Sequence, residues 1–397
     1  MGTLIVGASV AGVRTAQALR MRGYTDSITL LGEERHSPYD KPPISKEMLA
    51  LGAGAPVPLL SAEQLADLDV DLRLGARAIA LDLSARSVET SDGEAFAFDD
   101  LVIATGVTPR MLPGSDGLAG VHTLRTAEDA EAVRTRLMIA TDVVVIGAGF
   151  IGAEFAAAAR SHGVRVSVVE PQPVPMAHVL GEEVGAELTR LHVLNGVTMY
   201  TGVGVDSLVG DEFVEGVKLT DGRTLRADLV VVGIGADPAT GWLETSGLSL
   251  DNGVVCDEGL RVIGAERVYA AGDVARWPSP HAEGSVRIEH WTNANEHGAL
   301  VAASIMGAEA TPPPPPYVWS DQYGHRIQIV GRPSTGSLAR AFGSVDTLPY
   351  AAIYTQPGGR IVGALVVDDP RMFMKCRKAV AAGALVDDLD LGIAAGT

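Results

Sequence analysis

Two stretches of the chain share one order of apolar and polar positions: a short apolar strand, a glycine turn, a helix with one apolar face, and a second apolar strand ending at an acid. The first reads Leu4-Ile5-Val6, Gly7-Ala8-Ser9-Val10-Ala11-Gly12, a helix through Leu19, then Ile28-Thr29-Leu30-Leu31 before Glu33-Glu34. The second reads Val143-Val144-Val145-Ile146, Gly147-Ala148-Gly149-Phe150-Ile151-Gly152, a helix over 153–161, then Val166-Ser167-Val168-Val169-Glu170. Unbroken apolar strands of this kind predict parallel sheets covered on both faces. The glycines predict turns in which backbone N–H groups approach a pyrophosphate at the helix N-terminus. An acid about 20 residues beyond the glycines has the reach to meet a ribose hydroxyl. Two such units predict two dinucleotides on one polypeptide. The first unit departs from the glycine pattern at Ser9, whose hydroxyl must turn aside if phosphate is to approach.

The pattern continues with strands expected over 86–89 and 94–98 and at Leu101-Val102-Ile103, which runs into Ala104-Thr105-Gly106. The second unit closes in the same way with Leu229-Val230-Val231-Val232-Gly233-Ile234-Gly235. The chain returns through Val268-Tyr269-Ala270-Ala271-Gly272-Asp273, a strand that delivers an acid into a turn. A helix is expected over 293–306. Five consecutive prolines, Pro312 to Pro316, then form a stiff extended spacer that marks a boundary. Beyond it, antiparallel strands near 317–320, 326–330, 351–354 and 361–365 precede a helix over 372–382. The fold class read from this order is α/β: two Rossmann-like dinucleotide-binding domains, the second inserted in the first, plus a C-terminal α+β domain. The boundaries are 1–111 with 236–311 for the first, 112–235 for the second and 317–397 for the third.

A chain of 397 residues, 47% apolar and 20% charged, is an ordinary globular sequence with room for two or three cores. No apolar run reaches the 18 or so residues of a membrane span. The N-terminus enters a strand at once, so a secretory leader is not expected and a cytoplasmic location is. The only cysteines, Cys256 and Cys376, are far apart. They form no Cys-x-x-Cys or Cys-x4-Cys pair of the kind a flavin disulfide reductase uses as a relay, and packing roles are expected. The histidines show no metal spacing; His290 and His297 suit packing or capping, and no metal is expected.

The net charge of −18 argues against nucleic acid. The imbalance is uneven: residues 1–316 hold 23 basic and 42 acidic side chains, whereas 317–397 hold 8 and 7. Arg371, Lys375, Arg377 and Lys378 share the last helix with no acid between them. They form either a solvated face or a docking surface for an acidic protein.

Several strings together are similar to one family. They are Lys41-Pro42-Pro43-Ile44-Ser45-Lys46, Ala104-Thr105-Gly106, Leu124-Arg125-Thr126, the glycine turn reaching Glu154, Gly272-Asp273, Glu289-His290-Trp291 and Trp319-Ser320-Asp321-Gln322-Tyr323. In this order they resemble the FAD-dependent, NADH-oxidising ferredoxin reductases of bacterial cytochrome P450 and Rieske dioxygenase systems, over nearly the whole chain. The Pro-Pro-x-Ser-Lys and Trp-Ser-Asp-Gln strings are more specific than either glycine turn.

The resemblance implies a tightly bound FAD with its pyrophosphate at Gly7, Ser9 and Gly12 and its adenosine ribose near Glu33. It implies further FAD contacts from Lys41, Lys46, Ala78, Ala104, Thr105, Gly106, Arg125, Gly272, Asp273 and Trp291. Lys41 stands where the family more often has arginine, a point charge in place of a bidentate fork. NADH is implied at Gly147, Gly149, Phe150, Ile151, Gly152, Glu154, Glu170, Gly233, Ile234 and Gly235. A carboxylate at Glu170 repels a 2′-phosphate, so NADH is expected over NADPH. Lys46, Glu154 and Trp291 are the residues implied at the reacting flavin, with hydride transfer as the chemistry. The implied acceptor is an acidic 2Fe–2S ferredoxin that feeds a P450 or other oxygenase. Two other readings share parts of the pattern. A peroxide-forming NADH oxidase is disfavoured by the lack of an active-site cysteine. An NADH-responsive FAD interaction protein resembling apoptosis-inducing factor shares the Lys46 and Glu154 positions, but the region here is compact, without a long insertion.

Overall fold

The computed structural model describes residues 2–115 and 117–389. The last residues of the expected C-terminal domain, 390–397, lie outside the described residues. The chain divides into two compact units: Met1–Lys41, Pro56–Thr108 and Ala236–Pro314 form one, and Pro42–Ala55, Pro109–Gly235 and Pro315–Thr397 the other. The segment after the proline run thus clusters with the middle of the chain, as does the short Pro42–Ala55 stretch.

In the first unit, five parallel strands stand in the order Val268–Ala270, Asp100–Ile103, Thr3–Val6, Ile28–Gly32 and Asp71–Leu74. Thr3–Val6 is central and fully buried, which is why it reads as an unbroken apolar run. The helix Val10–Met21 buries Val10, Val13, Ala16 and Leu19. It packs against the helix Trp291–Ile305, where a Cβ on Gly298 would stand 2.7 Å from the Arg14 backbone. That helix begins at Trp291 rather than at the expected 293. A three-stranded antiparallel meander, Ala78–Asp82, Ser87–Thr90 and Ala95–Ala97, completes the repeated architecture.

The second unit repeats it. Its five parallel strands run Thr198–Thr201, Arg165–Glu170, Asp142–Ile146, Leu229–Val232 and Val121–His122, with a second meander over Val205–Val209, Gly216–Leu219 and Thr224–Arg226. The repeated sequence therefore specifies a repeated sheet. Two helices of this unit were not read from the sequence, although the first carries a Thr-x-x-Asp start signal. Ala127–Leu137 is started by a capping box between Thr126 and Asp129, and Ala177–Leu194 breaks at Gly181, whose φ is 78°.

The same unit contains a five-stranded antiparallel sheet in the order Tyr317–Gln322, His325–Gly331, Ile361–Val367, Tyr350–Thr355 and Ser337–Phe342. One face packs on Leu180, Val184, Leu188 and Leu191 of the broken helix; the other packs on Met372, Phe373, Cys376 and Ala379 of the last helix, Pro370–Ala382. The strand Ser337–Phe342 escaped the sequence reading because it is an edge, mostly exposed, without an apolar run. Among the described residues no helix is long and apolar enough to cross a membrane.

Candidate functional site

Both glycine turns are built for close backbone approach. Gly7 and Gly147 adopt positive φ, 123° and 97°, and a Cβ on either would collide with the carbonyl of Ala104 or Gly233 on the neighbouring strand. A Cβ on Gly12 or Gly152 would collide with the carbonyl oxygen of Gly7 or Gly147, so these two glycines let each helix start directly against its strand. Gly149 differs from them: a Cβ there meets nothing within 4 Å. The space above Gly149 is therefore open to a ligand.

The helix starts support the same conclusion. The helices Ala62–Asp67, Ala127–Leu137 and Pro370–Ala382 are capped by Ser61, Thr126 and Asp369. The two helices after the glycine turns have Ser9 and Gly149 at the cap position, with no side-chain cap bond and no acid in the first turn. Their first N–H groups carry no side-chain cap, a donor set that suits a dinucleotide pyrophosphate, although the helices Ala177–Leu194 and Trp291–Ile305 also start without a side-chain cap. The Ser9 side chain makes no cap hydrogen bond. At the end of the second acidic strand, the Glu170 carboxylate accepts from the Ala148 and Gln172 N–H groups, both at 2.9 Å. The acid is thereby fixed against the turn. In the first copy Gly32 takes the place of Glu170, and the acid one residue on, Glu33, is exposed and lies 3.4 Å from Arg77.

Glu154 occupies the second turn of the helix Phe150–Ser161 and is 4% exposed. Its carboxylate meets the Lys46 ammonium at 3.1 Å, so the two residues singled out from sequence are brought together. Ser45 donates to the other carboxylate oxygen, and Ser320 donates to the Lys46-facing oxygen at 2.8 Å. Burial pushes the Glu154 carboxyl above the usual range, while Lys46, Ser45 and Ser320 pull it back. Lys46 also lies 3.9 Å from Asp321 and 5.9 Å from the centre of the Trp319 ring. The Pro42–Ala55 stretch that carries Ser45 and Lys46 is tied to its unit by His162, bonded to the Leu49 carbonyl, and by Arg134, which donates to Ala53.

Trp291 is half-buried, and its indole N–H donates to Asp40 at 2.7 Å. Lys41 is ion-paired with Glu34, beneath which Tyr39 also donates, and its ammonium sits 4.3 Å over the Tyr39 ring. The expected phosphate cation is thus held by an internal carboxylate. Thr105 donates to the Ala239 carbonyl and Gly106 accepts from Ala239, so Ala104, Thr105 and Gly106 form a fixed turn. Ala78 opens the meander at a half-buried position. Arg125 donates its backbone N–H to the Asp129 carboxylate. Gly272, with φ 75°, donates its N–H to the buried His297 Nδ1 at 3.1 Å, and Arg287 donates to the Asp273 carbonyl. Phe150 is half-buried and Ile151 is 45% exposed. Gly233 donates to the Ile146 carbonyl at 2.7 Å, and Gly235 accepts from Arg110, which fixes the loop through Ile234.

On the last helix Arg371, Lys375 and Lys378 are exposed, whereas Arg377 turns towards the Tyr317 ring at 5.9 Å. Both cysteines are buried, their thiols pushed up to about 12 for Cys256 and about 11 for Cys376. The sequence reading missed Ser45, Ser320, Gln322 and Asp40 as site residues, whereas His297, expected to pack or cap, is buried and accepts from Gly272. A signal existed for two of them: Ser320 and Gln322 occupy inward positions of a strand where alternation calls for apolar residues.

The profile of the pyridine nucleotide-disulphide oxidoreductases matches residues 1–298. The chain belongs to that family. The family binds FAD, and the chain is accordingly an oxidoreductase of flavoprotein type. A reductase C-terminal profile matches residues 317–392. The chain is 37% identical to rhodocoxin reductase of Rhodococcus erythropolis over 384 residues, 96% of this chain and 90% of that one. It is 36% identical to the ferredoxin–NAD(+) reductase subunit of the benzene 1,2-dioxygenase system of Pseudomonas putida, over 96% of this chain and 93% of that one. Among solved structures, the covalent putidaredoxin reductase–putidaredoxin complex contains a chain of TM-score 0.93 and 32% identity, covering 99% of this chain and 96% of that one. These relatives bear out the family resemblance read from the strings around Lys46 and Trp319.

Proposed function

We propose that this oxidoreductase takes a hydride from NADH and passes electrons singly, through FAD, to an acidic 2Fe–2S ferredoxin that serves a cytochrome P450 or other oxygenase. The observation that carries the reading is the similarity along nearly the whole chain to ferredoxin–NAD(+) reductases, and the buried Lys46–Glu154 pair, its glutamate on the helix that opens at the second glycine turn, is compatible with it. The two buried, separate cysteines agree with it, since they supply no dithiol and an external acceptor must take the electrons.

In this reading Gly7, Ser9 and Gly12 receive the FAD pyrophosphate on the first helix N-terminus and Glu33 its ribose. Ala78, Ala104, Thr105, Gly106, Arg125, Gly272, Asp273 and Trp291 complete the FAD contacts. Gly147, Gly149, Phe150, Ile151 and Gly152 receive NADH, with Gly233, Ile234 and Gly235 bordering it. Glu170, already fixed by two backbone donors, accepts from a ribose and repels a 2′-phosphate. When bound, FAD supplies the conversion of a two-electron hydride into single electrons. Lys46 supplies a cation held in place by Glu154, and Ser45 and Ser320 keep that carboxylate ionised in a dry site. Lys41, held by Glu34, acts as a fixed point charge rather than a fork. Arg371, Lys375 and Lys378 present one basic face on an acidic protein, the charge pattern that steers an acidic carrier. Arg377 contributes at its edge. The cytoplasm, where NADH is supplied, is the location this reading assigns, and its domains are those set out from sequence.

The test is NADH-dependent cytochrome c reduction with and without an acidic 2Fe–2S ferredoxin, in the wild type and in Lys375→Glu with Lys378→Glu. Ferredoxin should accelerate the wild type, and the double variant should lose most of that gain at low salt. Rapid flavin reduction by NADH with no acceleration by ferredoxin would overturn the reading.

A further inference from the structure

The strand Tyr317–Gln322 forms a hairpin with His325–Gly331 through Tyr323 and Gly324, both with positive φ, 55° and 84°. That two-residue turn fixes the register at Gln322 opposite His325. Alternation then points Ser320 and Gln322 inward, where they are 0% and 5% exposed. A buried strand face normally carries apolar side chains, so two polar residues in succession on it require partners.

Their partners form a directed chain. Gln322 Nε2 donates to Ser320 Oγ at 3.0 Å, and Ser320 Oγ donates to Glu154 Oε1 at 2.8 Å. A serine hydroxyl has one proton. With its oxygen accepting from the Gln322 amide, that proton is committed to the Glu154 carboxylate. Gln322 also lines a cavity of about 20 Å³ beside Gly149 and Phe150, so the relay ends next to the second glycine turn.

We infer that Ser320 and Gln322 are positioning residues for Glu154: the amide polarises the hydroxyl, and the hydroxyl holds the carboxylate ionised and aimed at Lys46. The C-terminal sheet thereby reaches Glu154 by hydrogen bonds. The inference rests on the reading that Glu154 and Lys46 tune hydride transfer. The charged groups around Glu154 are Lys46 on one side and, beyond it, Asp321, which Arg326 pairs at 2.7 Å, with Glu47 near that arginine. None of them replaces the Ser320 donor. Loss of one hydrogen bond to a buried charge moves its titration by roughly one to two pH units.

The decisive measurement is infrared titration of the FAD-loaded protein, following the carboxylic C=O band that Glu154→Gln removes. Ser320→Ala should raise the Glu154 midpoint by roughly one to two pH units. Gln322→Met, which keeps the volume and removes the amide, should raise it in the same direction by less. The pH profile of flavin reduction by NADH should move with the midpoint, while KM for NADH stays within about twofold of the wild type. An unmoved midpoint in both variants overturns the relay. If Glu154→Gln instead leaves flavin reduction unchanged at every pH, the role given to Glu154 fails, and the infrared midpoints still decide the relay separately.

Discussion

The Glu170 carboxylate and the Ala148 N–H meet at 2.9 Å, so the acid that ends one strand is bonded into the glycine turn that follows its neighbour. The bond restricts the carboxylate to one orientation before any dinucleotide arrives. Glu170→Ala should therefore lower the ratio of kcat/KM for NADH over NADPH by about tenfold or more, because a preset repulsion is removed. Steady-state kinetics with both nucleotides check this, and an unchanged ratio would remove Glu170 from the ribose site.

The glycines of the second turn should separate fold from binding. Gly152→Ala collides with the Gly147 carbonyl and should lower the melting temperature as well as weaken NADH. Gly149→Ala meets no protein atom within 4 Å, and the φ of −74° suits any L residue. Its melting temperature should match the wild type while NADH binding weakens. Thermal unfolding beside NADH titration distinguishes the two; parallel behaviour would show that Gly149 has no ligand-facing role.

Gly12→Ala makes the equivalent collision in the first turn, with the Gly7 carbonyl. Purified Gly12→Ala should carry little FAD, read from the visible flavin absorbance per protein. Retention of full flavin content would mean that the strand and helix can part without disturbing the turn.

The side chains of Lys46 and Glu154 are 11% and 5% exposed, so neither charge has much access to water. Lys46→Met leaves the carboxylate with two hydroxyl donors and no cation. The variant should lose several kcal/mol of stability, about 3–5 for a broken buried pair. It should also reduce its flavin more slowly, and the double variant with Glu154→Gln should recover part of the stability. Chemical denaturation of the four proteins as a cycle measures the coupling.

Three desolvated histidines, His192 and His297 buried and His290 half-buried, set an acid limit. Burial pulls His297 down to about 3, and His192 and His290 to about 4, from an ordinary value near 6.5. Between these values the unfolded chain binds more protons than the folded one, so stability rises with pH across that window and falls as pH drops below about 6.5. Each histidine contributes at most about 1.4 kcal/mol per pH unit. His297→Gln, which keeps an acceptor for the Gly272 N–H, should flatten the slope of unfolding free energy between pH 4 and pH 6. An unaltered slope would remove His297 from the acid limit.

What the sequence determined by itself is local. The two strand, turn and helix units, the acid at each strand end and the absence of a cysteine pair are all read within short windows. Period, glycine spacing and composition act over those same distances. The pairing of Lys46 with Glu154 was legible only through family resemblance, since nothing in the spacing of residues 108 apart specifies a contact. Ser45, Ser320 and Gln322 were not legible at all as partners of Glu154. Ser45 and Ser320 lie 109 and 166 residues from it, Gln322 acts through Ser320, and the requirement they meet, supplying hydrogen bonds to one buried carboxylate, has no periodicity. Tertiary structure alone decided which hydroxyls turn inward, because only packing removes the water that would otherwise have solvated that charge.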